Sequence, residues 1–133
     1  APWSNNNNLI GGGGTSLSIG SGSVNTTRIV SSQGNSGTYA AKIADDYVAN
    51  GYSDWYLPSF EEMKKLIAQS AKVGGFVNGA YYWTSSESTS NGVSGGTALY
   101  AWIQLNPSTG SIPVPNEAGK TYTNTAVRPI RSF

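Results

Sequence analysis

The feature that most constrains this chain is a change of hydrophobic period at Gly74-Gly75. Before it, apolar residues recur at helical spacing, first at Ala40, Ile43, Ala44, Tyr47 and Val48, then at Phe60, Met63, Leu66 and Ile67. Beyond it, Leu99, Ala101, Ile103 and Leu105 alternate with Tyr100, Trp102 and Gln104, as in a strand with one buried face. Helices that precede strands, instead of interleaving with them, define an α+β fold. Two first-half helices are expected, followed by a small antiparallel sheet with long loops. With 133 residues there is material for one hydrophobic core.

Local signals refine this outline. Thr26 or Thr27 is placed to N-cap a short helical turn carrying Ile29 and Val30, and Gly34 to Gly37 interrupts it. Asn50-Gly51 reads as the stop of a helix over 40–48. Ser59 stands three residues before Glu62, the capping-box spacing, and Gly74-Gly75 closes the helix that begins there. Strands are expected over 81–86, 99–105, 112–114 and 126–131, with a hairpin turn over 106–110 and polar loops over 88–97 and 115–125. Residues 1–23, with runs of Asn and Gly, read as a surface loop or N-terminal arm holding at most a short strand near Leu17 to Ile19. The domain proper then covers 24–133.

Composition narrows the function. Only 11% of residues are charged and the net charge is +1, so no clustered basic surface exists to track phosphates. No apolar run is long enough to span a bilayer, and no signal-peptide pattern opens the chain. Cys and His are absent, which removes thiol nucleophiles, imidazole bases and the usual zinc sites. A non-catalytic role follows. Seventeen Gly and eight Tyr among many Ser, Thr and Asn match the palette of recognition loops, and place the domain outside the cell or on its surface.

Three ordered motifs carry a family resemblance: Asn50-Gly51 running into Tyr52-Ser53-Asp54-Trp55-Tyr56-Leu57-Pro58-Ser59, then Tyr82-Trp83-Thr84-Ser85-Ser86-Glu87, then Val127-Arg128-Pro129-Ile130-Arg131-Ser132-Phe133. Over 24–133 the chain resembles the DUF1566 family, the C-terminal domain of Legionella collagen-like protein. The resemblance implies a C-type-lectin-like fold and adhesion, in a head similar to a trimeric one that binds sulfated glycosaminoglycans. The family's usual opening strands are not matched. A neighbouring subunit could supply that edge, which points to a homo-oligomer, a trimer or a polymer.

Candidate site residues fall into groups. Tyr100, Trp102 and Tyr122, with Asn91, Asn106, Asn116 and Asn124, form the expected ligand surface, because rings stack on sugar faces and amides fork onto hydroxyls. The competing reading buries Tyr100 and Trp102 beneath the loops as a second small core. Lys64, Lys65 and Lys72 are the densest cationic patch and could meet sulfate, although Glu61 and Glu62 partly neutralise it. Structural roles are expected for Asp54, Trp55, Ser59, Glu62 and Trp83, with Trp55 in the core and Glu87 bridged to Arg128 or Arg131. No cofactor is required. Calcium held by Glu87, Asn91 and loop carbonyls stays open, against a scarcity of loop acids. The function expected is recognition of a carbohydrate or another surface ligand; the alternative is a self-assembling subunit of a surface filament or layer.

Overall fold

The computed structural model describes residues 1–5, 10, 15–88, 100–105 and 115–132. Among these residues, four helices come first, α1 (Gly22–Gln33), α2 (Ala40–Asp45), α3 (Phe60–Ala68) and α4 (Ser70–Val73), and three strands follow, β1 (Tyr81–Glu87), β2 (Tyr100–Leu105) and β3 (Pro115–Gly119). The strands form one antiparallel sheet in the order β1-β2-β3. The chain is thus a mixed helix and strand domain with its helices ahead of its sheet.

The helices differ from expectation in number and at their ends. Four are present among the described residues against the two expected, because α1 is a full helix and the second expected helix is split at Gln69 into α3 and α4. Thr26 does not cap a turn. It lies inside α1, buried, where its hydroxyl donates to the Gly22 carbonyl at 2.8 Å and accepts the Leu57 amide at 3.0 Å. α1 can begin four residues earlier because Gly22 has no side chain: a Cβ there would lie 3.0 Å from the Leu57 carbonyl and 2.9 Å from the Tyr56 ring. α2 is short, and Tyr47 and Val48 lie outside it, exposed. Asn50-Gly51 is not a helix stop. Both residues have positive φ, and Ala49 and Tyr52 exchange amide-to-carbonyl bonds of 3.1 and 3.0 Å, which makes the pair a tight hairpin turn of the primed type. The capping box at α3 is present as read: Ser59 Oγ accepts the Glu62 amide and Glu62 Oε2 accepts the Ser59 amide at 2.7 Å.

In the sheet, Ala101 and Ile103 face the core as the alternation demands. β1 breaks the alternation, since residues 82–87 are all buried. Its register explains this: Trp83 pairs with Ile103 and Glu87 with Ala101, so four residues of β1 span two of β2 and a bulge turns the strand inward. The polar groups so buried are satisfied by other segments; the Ser85 amide donates to the Pro58 carbonyl at 2.7 Å and Ser86 Oγ to the Ser16 carbonyl at 2.7 Å. β3 occupies residues read as loop. The strand expected over 112–114 and the turn over 106–110 lie outside the described residues. In place of a continuous strand over 126–131 there are two isolated bridges, Ala126 to Tyr82 and Ile130 to Tyr56.

Residues 1–23 are not a detached arm. Trp3 is fully buried at the centre of the core with Ile29, Tyr39, Leu57, Trp83 and Ile103. Two indoles lock it reciprocally, Trp3 Nε1 donating to the Thr84 carbonyl at 2.7 Å and Trp83 Nε1 to the Ala1 carbonyl at 2.9 Å. The stretch near Leu17 to Ile19 is not a strand. It lies instead against α3, where Ser59 Oγ donates to the Ser18 carbonyl at 2.8 Å.

Glu87 bridges neither arginine. Its carboxylate takes the ammonium of Lys120, with both side chains almost wholly buried, and accepts the Ile10 amide at 3.1 Å. Register places the pair together: Glu87 opposes Ala101, Ala101 opposes Ala118, and Lys120 falls two residues on, on the same face. Lys120 also lies over the Trp3 ring at 4.8 Å. Burial pushes its pKa below the ordinary lysine value, against the opposing pull of Glu87. Of the side chains left open as calcium ligands, Glu87 is engaged with Lys120, and Asn91 lies outside the described residues. Among the described residues, no helix is long and apolar enough to cross a membrane.

Candidate recognition surface

After β3 the chain turns through Lys120 and Tyr122, whose amide donates to the Gly119 carbonyl at 2.9 Å, and returns to the outer side of β1. There the Ala126 amide donates to the Tyr81 carbonyl and the Trp83 amide to the Ala126 carbonyl, both at 2.9 Å. The span between these anchors, with residues 79–81 opposite, encloses a polar depression of about 570 Å³. Tyr122 is half exposed at its edge and Asn124 is exposed beside it. Thr125 lies behind them, buried, and its hydroxyl has no hydrogen-bond partner among the described residues. Such a hydroxyl costs about 1–3 kcal/mol when left unpaired. A buried orphan of this kind calls for a specific explanation.

Of the expected ligand surface, the fold therefore brings Tyr122 and Asn124 together and adds Thr125, which sequence reasoning missed. A lone Thr in a Thr-rich stretch carries no signal; Thr125 is buried next to Ala126, which bridges to Tyr82. Tyr100 and Trp102 belong to β2 and Asn116 to β3, but their side chains lie outside the described residues, as do Asn91 and Asn106 altogether. Lys64, Lys65 and Lys72 are exposed on α3 and α4, with Lys64 4.0 Å from Glu61.

A second, apolar cleft of about 440 Å³ lies where the first and third sequence motifs meet, joined by paired bonds of 2.8 and 2.9 Å between Tyr56 and Ile130. Leu66, Val73, Pro129 and Ile130 supply apolar wall, and Tyr52, Trp55, Arg128 and Arg131 line the rest with Asn50. Trp55 is not a core residue. It is half-buried in this wall, its ring edge-on to Tyr47 at 5.1 Å and its Nε1 donating to the Tyr52 carbonyl at 3.0 Å. Asp54 is paired with Arg131 through two bonds of 2.8 and 3.0 Å, and the guanidinium lies 3.6 Å over Tyr52. That hydrogen bond holds the Asp54 carboxyl below its usual value and lifts Arg131 further. Arg128 lies over Phe76 at 4.8 Å.

Among the described residues, no group of three or more acidic side chains could hold a metal ion. Comparison with protein-family models, with curated proteins and with solved structures finds no match to this chain.

Proposed function

We propose that the chain is a non-catalytic recognition module of the cell surface or extracellular space, which binds a carbohydrate in the depression formed by Tyr122, Asn124 and Thr125. The observation that carries this reading is the exposed Tyr122 ring and the exposed Asn124 amide set together on a polar depression, backed by the buried Thr125 hydroxyl that has no hydrogen-bond partner among the described residues. A sugar presents an apolar face for Tyr122 and hydroxyls for Asn124, and it needs no ionisable group. The C-type-lectin-like fold and a homo-oligomeric head belong to the same proposal, on the strength of the three ordered motifs.

A glycan array, followed by calorimetric titration of each glycan retained, tests it. Binding is expected to weaken about tenfold or more in Tyr122→Ala, the loss of one well-placed stacking and desolvated contact. An array that retains nothing, or glycan binding that Tyr122→Ala and Asn124→Ala both leave unchanged, defeats the reading. A second reading, a self-assembling structural subunit, is favoured by one observation: β3 is an edge strand, paired through β2 alone in the described sheet. Light scattering decides it, since open polymers grow with concentration whereas a monomer or closed oligomer keeps one mass.

A further inference from the structure

We propose that the cleft beside α3 and α4 is a separate binding site for a small aromatic carboxylate. Its chemistry differs from that of the polar depression. Leu66, Val73, Pro129 and Ile130 offer no hydrogen bonds from their side chains, so the hydroxyls of a sugar that face this part of the wall would lose hydration without replacement. An apolar ring loses nothing. Trp55 is pre-positioned to receive one, because its contacts to Tyr47 and to the Tyr52 carbonyl fix the indole from two sides. The cleft volume of about 440 Å³ falls within the range of small-molecule sites.

Charge supplies the second half of the argument. Arg131 is neutralised by Asp54, which occupies its Nε and one terminal nitrogen. Arg128, three residues earlier in the same wall, has no carboxylate partner among the described residues; it rests on the Phe76 ring. Between the two arginines, Pro129 fixes its own φ and Ile130 is tied to Tyr56 in both directions, so this wall is rigid. One arginine compensated by Asp54 and one without a carboxylate partner among the described residues, against an apolar wall, leave the cleft complementary to a ring that carries a single negative charge. The carboxylate meets the Arg128 guanidinium, whose planar fork suits it.

The test is a calorimetric titration of the chain with 3-phenylpropionate and, in parallel, with its neutral amide. The acid is expected to bind about tenfold more tightly than the amide, the margin of one charge-assisted pair. That preference is expected to vanish in Arg128→Gln, while Tyr122→Ala leaves it intact. Val73→Asp, on an exposed wall position, is expected to abolish binding of the acid by adding a like charge, and it decides the matter should the Arg128 variant fail to fold. Equal binding of acid and amide, absence of binding by either, or a preference that survives both substitutions would overturn the proposal. Loss of glycan binding without loss of the acid, or the reverse, separates this site from the polar depression.

Discussion

Two ion pairs hold distant parts of this chain together, and they do so in opposite surroundings. Lys120 and Glu87 meet in the core, both almost without solvent contact, beneath Trp3. Arg131 and Asp54 meet at the surface with better fork geometry, and Asp54 remains more than half exposed. The comparison separates geometry from consequence. The surface pair has water as an alternative partner for each member, whereas the buried pair is cut off from water and depends on protein partners. The buried pair therefore specifies how the N-terminal segment, β1 and the turn after β3 assemble, and the surface pair orients side chains at a cleft.

The largest effect expected from breaking this comparison is in Lys120→Met. It leaves the Glu87 carboxylate buried with the Ile10 amide but without its counter-ion, and should cost about 3–5 kcal/mol in chemical denaturation. Replacing both partners, Lys120→Met with Glu87→Leu, should recover most of that loss, because no charge then remains to be desolvated. If Lys120→Met is no more damaging than Asp54→Asn, the contrast between the two pairs is wrong.

Trp3→Ala attacks the buried pair from above. It empties an indole-sized volume in the core, removes the bond to Thr84 and opens Lys120 to water, for about 3–5 kcal/mol. Combined with Lys120→Met it should be less than additive, since both changes damage one assembly. Strict additivity in a double-mutant cycle would show that Trp3 and Lys120 act independently.

Sequence reasoning reached the parts of this fold whose signals are local. The capping box of Ser59 and Glu62, the end of α4 at Gly74 and the core face of Ala101 and Ile103 each follow from residues a few positions apart. It failed where the deciding neighbour is remote. Asn50-Gly51 signals a primed turn as strongly as a helix stop, and the structure has the turn, closed by the pairing of Ala49 with Tyr52. Trp3 stands near runs of Asn and Gly in the sequence, and its contacts, Thr84 and Lys120, lie far along the chain. Glu87 was matched to the arginines of a motif, whereas the bulge in β1 carries it to Lys120. For the candidate site, the exposure of Tyr122 and Asn124 is legible in the sequence; the burial of Thr125 and the partial exposure of Trp55 are tertiary facts.

A middle-sized effect sharpens the contrast from the polar side. Ser59→Ala removes the acceptor for the Glu62 amide and the donor to the Ser18 carbonyl, and should cost about 1 kcal/mol, read as a lower thermal midpoint. The cap is buried, unlike the Asp54 pair, so its loss should be insensitive to salt. A strong salt dependence would mean that the Glu62 carboxylate, and not the Ser59 hydroxyl, does most of the capping.

The smallest effect is expected from Asp54→Asn, and its pH dependence identifies it. Arg131 holds the Asp54 carboxyl below its ordinary value in the folded chain, so over the interval between the folded and unfolded values the unfolded chain binds more protons. Stability from this pair must therefore rise with pH across that interval. It is complete above the ordinary carboxylate range of roughly 4 and is lost as pH falls through the folded value. The difference in thermal midpoint between the natural chain and Asp54→Asn should accordingly be small at neutral pH, shrink further in molar salt, and close as the medium is acidified. A difference that persists unchanged in acid would mean that Asp54 supports its turn through uncharged hydrogen bonding, and that Arg131 owes its position over Tyr52 to the ring and not to the carboxylate.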